Sequence, residues 1–247
     1  FEDQSSGIGS GMRMGIGMSN SRDSSEVSVL TTSFAITSQL DRVNQVKAGL
    51  ELIRTHSDIN YGSFDKNLPS GRYSSKWDTT PIRLSAYVQD KLEFKGMIAN
   101  VGLRFTYADP NIDWYEYDTF DDVFKSGGNT NIDSLNTYSV KPQLIFQPRL
   151  GVAFPITDNS KLFFNYGHFL QLPDPEDLYL VRVEPFTNSI VRIAAPENKI
   201  PKTVSYELGY EQNLFNKYLF RVSGYYKDLS QQPIVIDVYG SNDGSYS

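Results

Sequence analysis

An all-β chain, and within that class an antiparallel transmembrane β-barrel segment, is the fold this 247-residue sequence predicts. Three observations predict it. Side chains alternate greasy and polar with a period of two over runs of about ten residues, as in a strand with a different medium on each face. The links between these runs alternate short and long. Aromatic residues make up 13% of the chain and include sixteen tyrosines, a side chain suited to strand surfaces whose surroundings change from apolar to wet.

The runs follow in order. Over 26–40, Leu30, Phe34, Ile36 and Leu40 share a face. Over 44–60, Val46, Ala48, Leu50 and Leu52 oppose Lys47 and Glu51. At 81–94, Ile82, Leu84, Ala86 and Val88 oppose Arg83, Ser85, Gln89, Lys91 and Glu93, with Asp90 the exception on the greasy face. At 97–109, Ala99, Val101, Leu103, Phe105 and Tyr107 oppose Asn100, Arg104 and Thr106, with Ile98 on the polar side. Residues 148–156 carry Leu150, Val152, Phe154 and Ile156 on one face, and 160–171 carry Leu162, Phe164 and Tyr166. In PKTVSYELGYEQNLFNKYLFRVSGYYKD (201–228), Val204, Tyr206, Leu208 and Tyr210 oppose Ser205, Glu207, Gly209 and Glu211. After a turn at Asn216-Lys217, Tyr218, Phe220 and Val222 oppose Arg221, Ser223 and Lys227. With the glycine-rich stretch 7–18 as either a further strand or a loop, this is a segment of about 8–10 strands.

Short links at 41–44, 94–96, 157–160 and 216–217 alternate with long polar ones at 61–80, 110–141 and 172–201. Several structureless loops beyond about 15 residues would count against a compact soluble domain. At every second connection they fit an outer-membrane barrel, with short periplasmic turns and long extracellular loops. Phe94, Phe215 and Tyr218 stand beside the short turns and Tyr107 at the far end of its strand, where interfacial aromatics belong. A soluble β-sandwich also alternates, with its greasy face inward. The loop asymmetry decides for the barrel, and the lipid bilayer is then a partner.

Composition excludes other classes. The net charge of −6 argues against a nucleic-acid partner, which calls for a basic stripe. Without cysteine there is neither a disulfide framework nor a thiolate metal site. No run of about 18 apolar residues offers a transmembrane helix. The first residue is Phe1 and no charged-then-apolar segment follows it, so any targeting segment is expected to lie outside this chain, which reads as part of a longer protein.

Catalytic chemistry is not expected. His56 and His168 lack partners at metal-ligand spacing, and no G-x-S-x-G or Walker A motif occurs. GIGSGMRMGIG (7–17) admits no G-x-G-x-x-G register. Glu207 and Glu211 lie about 13 Å apart along one strand, beyond the roughly 5–9.5 Å of glycoside hydrolysis. No enzyme activity, cofactor or metal is therefore expected. The polar face instead lines a lumen through Lys47, Glu51, Arg83, Gln89, Lys91, Glu93, Arg104, Glu207, Glu211, Arg221 and Lys227. The loop segment DPNIDWYEYDTFDD (109–122) sets Asp113, Trp114, Tyr115, Glu116 and Tyr117 together. Aromatic faces beside carboxylates stack sugars or grip cations, and carboxylates bind calcium. The plainer reading, and the one composition favours, is an acidic, solvated outer loop that partly folds over the barrel mouth.

Two stretches resemble the β-barrel of TonB-dependent outer-membrane receptors, especially nutrient importers of the Bacteroidetes type. QPRLGVAFPITDNSKLFFNYGHFLQLPDPEDLY (147–179) is similar to that family's Pro-Arg-Leu strand, periplasmic turn, aromatic strand and proline-bearing outer loop. PENKIPKTVSYELGYEQNLFNKYLFRVSGYYKDLSQQP (196–233) is similar to its Ser-Tyr-Glu-Leu-Gly strand with a Tyr-Tyr-Lys-Asp partner. Here Pro201-Lys202 stands where the family has Pro-Glu. The resemblance implies a 22-stranded barrel with an N-terminal plug, held by some of the lumen charges and coupled to the TonB complex. Residues 1–247 are then expected to be a partial barrel domain without plug or closing strands. Cut out alone, such a segment would leave two unpaired edges that lipid does not tolerate. The function expected is energy-coupled import of a nutrient (siderophore, glycan, peptide or vitamin) across the bacterial outer membrane, the acidic aromatic loop tilting the choice toward a glycan or peptide. A surface lipoprotein is left open as a further partner. The alternatives are a passive outer-membrane pore or surface-adhesion barrel, and a soluble β-sheet carbohydrate-binding or hydrolytic protein.

Overall fold

The computed structural model describes residues 21–63, 73–94, 96–118, 121–124, 132, 135–183, 190–240 and 244–246, so the glycine-rich 7–18 lies outside the described residues. In chain order the elements are β1 Ser21–Asp23, β2 Glu26–Gln39, β3 Asn44–Ser63, β4 Tyr73–Thr79, β5 Ile82–Phe94 and β6 Met97–Asp109. Next come β7 Asp113–Tyr115, β8 Thr137–Ser139, β9 Gln143–Thr157, β10 Ser160–Leu170 and the short helix α1 Pro175–Tyr179. The chain continues with β11 Val181–Val183, β12 Ile190–Ile193, β13 Lys202–Leu214, β14 Tyr218–Ser230, β15 Val238–Gly240 and β16 Gly244–Tyr246.

The eight long strands form an all-antiparallel wall, β2-β3-β5-β6-β9-β10-β13-β14, each paired with its sequence neighbours. This wall curls into a half-barrel. All eight expected strands are present. Its convex face carries Phe34, Leu50, Val88, Val101, Phe154, Leu208 and Phe220, all exposed. In water such a band would drive aggregation, whereas in a barrel it is the lipid-facing belt. Toward the extracellular end the belt becomes aromatic: Tyr166 lies 5.1 Å from Tyr206, and Tyr206 lies 6.2 Å from Tyr226, ring to ring across three strands. Phe94, Phe215 and Tyr218 form the corresponding exposed rim beside the short turns. No helix among the described residues is long and apolar enough to cross a membrane; the strands do the crossing.

The short turns close with local chemistry. In 41–44 the Asp41 carboxylate accepts from the Val43 and Asn44 amides and the Asn44 side chain at 2.7–2.8 Å. These donors favour the ionised form, the Asn44 side chain most, and hold Asp41 below the usual carboxylate range. At the β13–β14 turn, Lys217 N–H donates to the Leu214 carbonyl at 3.1 Å, with Phe215 (φ 56°) and Asn216 (φ 52°) in the left-handed region that matches strand twist. Asparagine tolerates that conformation. Phe215 adopts it at a cost and is set, 84% exposed, at the membrane rim.

The structure extends the sequence-based expectation in two places. β9 begins at Gln143 rather than at Pro148. Its pairing with β10 ends at Arg149–Gly167, so Pro148 has one open edge, where a residue without an N–H is tolerated. β3 runs on to Ser63, and β4 pairs with its upper part inside a stretch that sequence assigns to a loop. The polarity inverts there. Below Pro81 the greasy residues point outward, but above it Ile59, Tyr61 and Trp77 share the inner face, while Asp58, Asn60, Lys76 and Asp78 point outward. Above the bilayer the convex side meets water, so a strand there buries its greasy face on the other side.

Candidate functional site

The concave face is the candidate site. Register places all eleven lumen candidates named above on that one face, together with Arg149, Lys161, Asn165 and Gln147. Its central part forms a concavity of about 810 Å³ lined by Lys47, Glu51, Arg104, Arg149, Asn165 and Glu207 among others.

Most of its charges are matched. Arg104 Nη2 donates to Glu51 Oε1 at 2.6 Å, reaching diagonally across β5, with both side chains about 30% exposed (27% and 30%). Lys91 pairs with Glu93. Glu211, 14% exposed, bridges Lys161 at 2.7 Å and Arg221 at 3.3 Å, while the Arg221 guanidinium lies 4.8 Å over the Phe163 ring. Asn165 Nδ2 donates to Glu207 Oε2 at 3.0 Å. Ser85, Thr106 and Gln147 form a buried hydroxyl–amide chain with links of 3.2 and 3.1 Å. Bridged, partly buried pairs of this kind fix side chains in place, and removing one partner strands the other.

Small residues make room for rings on this wall. Gly49 lies under the Tyr87 ring, and a Cβ there would sit 2.6 Å from a ring carbon. Gly209 lies in the same way under Phe163. Gly49→Val should lift Tyr87 off the wall and lower barrel stability by about 1–3 kcal/mol, the cost of overpacking. Adding Tyr87→Ala should restore most of that loss, read as the temperature at which the folded band disappears on a gel.

The extracellular ends carry a second packed body. The connection after β10 crosses above β9 and β6 and adds β11 and β12 to the free edge of β4. Over the inner face of this extension lie the β7–β8 hairpin and α1, sharing a core of Trp77, Trp114, Val140, Tyr179, Leu180 and Ala194. A second cluster joins Val123, Phe124 and Ile190. Trp114 is 3% exposed and its indole N–H donates to the Ala194 carbonyl at 2.9 Å. Of the loop candidates, Asp113 and Glu116 are exposed, Tyr115 and Tyr117 are half-buried, and Trp114 is enclosed. The Trp114 ring is therefore a packing element of this crown with no face open to a ligand.

Crown tyrosines hold their protons. Burial, followed by a hydrogen bond to Glu197, pushes Tyr138 up to about 12. Burial pushes Tyr179 to about 12, with Asp109 adding to it. A phenol whose folded pKa exceeds its unfolded value of about 10 contributes stability that is complete below pH 10. That contribution is lost as pH rises through the folded value. The crown should therefore loosen between about pH 10 and pH 12, seen as tyrosinate absorbance rising together with protease cleavage within 110–141 and 172–201.

Sequence reasoning missed Arg149, Lys161 and Asn165. Each sits opposite the greasy residues of β9 or β10, so the alternation already marked them, but those faces were read only for their apolar side. Among the described residues no three His, Asp or Glu side chains gather as a metal site.

A family model described as "TonB dependent receptor-like, beta-barrel" matches residues 3–247. Among solved structures, the chain is similar to "Copper transporter OprC" at 17% identity and TM-score 0.55, covering 83% of this chain and 31% of that one. It is similar to the ferric-catecholate import receptor Fiu from E. coli K12 at 15% identity and TM-score 0.55, covering 91% and 34%. It is also similar to a double mutant of the Serratia marcescens hemophore receptor HasR in complex with its hemophore HasA and heme, at 12% identity and TM-score 0.53, covering 85% and 34%. The chain thus spans about a third of the length of these structures. No curated protein matches it.

Proposed function

The chain belongs to the TonB-dependent receptor-like β-barrel family and is part of an outer-membrane barrel, and on that premise we propose that it walls one side of an active nutrient importer. The observation that carries this reading is the division of one sheet into an apolar convex face and a polar concave face, with folded loops packed over the inner side at the extracellular end. A convex face of that kind is stable only in lipid, and a matched polar face suits a wet or protein-filled interior. In this reading the exposed Asp113 and Glu116 belong to the ligand-facing loop. Glu51, Arg104, Lys161, Glu211 and Arg221 position themselves and one another along the passage, with part of the set holding a plug that receives the TonB contact. The wall binds and releases. It moves no covalent bond.

The solved relatives are titled for copper, ferric catecholate and heme, so a nutrient is proposed and the family does not choose its chemistry. The test starts from the full-length protein in its own cells. It should fractionate with the outer membrane and run as a compact band until boiled. Deleting its gene should abolish growth on one limiting nutrient, and deleting the TonB complex should abolish the same growth. A soluble protein with unchanged mobility would overturn the barrel. Growth lost with the gene but kept without TonB would overturn active import.

A further inference from the structure

One row of the concave face differs from the rows on either side of it. Hydrogen-bond register runs it through Lys47 on β3, Gln89, Gly102, Arg149 on β9, Gly167, Ser205 and Lys227 on β14. It contains three cations and no acid. Elsewhere on this face the cations Arg104, Lys91, Lys161 and Arg221 each lie against a carboxylate, while Arg83, near the extracellular end of β5, has no ion pair among the described residues and stands alone in its row. Lys47, Arg149 and Lys227 have no ion pair among the described residues, and all three are exposed. The two carboxylates that share their concavity are engaged elsewhere, Glu51 with Arg104 and Glu207 with Asn165.

Two of these cations are backed by rings rather than acids. The Arg149 guanidinium lies 5.0 Å from the Phe169 centroid and Lys227 Nζ 5.3 Å from that of Tyr225. A ring steadies a cation through its face without using up its N–H donors. Gly102 and Gly167 flank Arg149 in the row, so no neighbouring side chain caps its fork. At about 4.8 Å per strand the cations stand about 14 Å apart along a row of about 29 Å. Because barrel strands tilt by about 35–45°, a row perpendicular to them climbs the wall by about 17–20 Å. The row is an oblique line of cations, none in an ion pair among the described residues, rising through the interior of a chain that is acidic overall.

We propose that this row is a track for an anionic solute, and that the imported nutrient carries carboxylate or phosphate groups which Lys47, Arg149 and Lys227 engage in succession. This deepens the importer reading and rests on it. Cations lining a cleft with low-dielectric walls concentrate the opposite charge, and an uncapped guanidinium takes a carboxylate or phosphate by two parallel bonds.

The test uses full-length protein in detergent, titrated calorimetrically with inositol hexakisphosphate and with citrate, and with uncharged inositol as the control. Both anions should bind, inositol should not, and binding should weaken steeply with added salt. The triple variant Lys47→Gln, Arg149→Gln, Lys227→Gln should weaken binding at least about tenfold, a loss of more than one charge contact. The control triple variant Arg42→Gln, Lys76→Gln, Lys217→Gln, which removes three exposed cations from the short turns and the outward face, should leave it within about twofold. Equal affinity in wild type and triple variant would overturn the track. So would a wild type that binds neither anion while the triple variant loses heat resistance, because the row would then be occupied by an acidic segment of the same protein. Import and outer-membrane fractionation are scored separately, so a working importer that ignores both anions removes this inference and leaves the proposed function standing.

Discussion

Leu208→Arg should remove the protein from the outer membrane. Leu208 stands at the middle of β13 (Lys202–Leu214), points outward and is 55% exposed on the convex face, with Phe164 paired beside it on β10. At the bilayer midplane an arginine on a lipid-facing barrel position costs about 2–4 kcal/mol. A cost of that size is a large fraction of the stability of most folded proteins. The expected result is loss of the heat-resistant compact band and a fall in outer-membrane protein of more than tenfold. Ser223→Arg, on the opposite face of β14, should assemble normally. Equal assembly of both variants would mean that the convex face is not in lipid.

Trp114→Ala should release the crown while leaving the barrel intact. The side chain is 3% exposed, sits between Trp77, Tyr179 and Ala194, and makes the only inter-loop hydrogen bond given by an indole among the described residues. Removing a buried tryptophan costs about 3–5 kcal/mol through lost burial and the cavity left behind. The Ala194 carbonyl also loses its donor. In intact cells, protease should then cut within 110–141 and 172–201 at least tenfold faster, with the heat-resistant band unchanged, because the eight long strands do not depend on this core. Trp114→Phe keeps most of the packing and loses the hydrogen bond, so it should fall between, at about 1–3 kcal/mol. If Trp114→Ala dissolved the barrel as well, crown and wall would be one cooperative unit.

The long strands were legible because lipid and water act on every residue of a wall strand separately. Val204 to Tyr210 alternate without reference to any other part of the chain, and the same holds at 97–109 and 218–222. The rule that makes this readable also limits it. β4 carries Trp77 on the side opposite the greasy residues of β5, because above the membrane the wet side is the outside. A reader following one constant greasy face sees a loop there.

The candidate site divides along the same line. That Lys47, Glu51, Arg104 and Lys227 face one way follows from parity, but which of them are paired does not. Arg104 reaches Glu51 across an intervening strand, and Glu211 gathers Lys161 and Arg221 from its two neighbours. Those partners are set by register between strands up to 53 residues apart in the chain. The fate of Trp114 was equally hidden. Beside Asp113 and Glu116 it reads as a ligand platform, and only the return of the 172–201 connection over β9 and β6 makes it a core residue. By itself the sequence determined the all-β wall, its two faces and the side on which the long loops lie, because solvent contact acts position by position. Tertiary structure alone decided which charges are matched, which three along one row have no ion pair among the described residues, and how the loops pack, because those properties depend on distances between strands that no local pattern encodes.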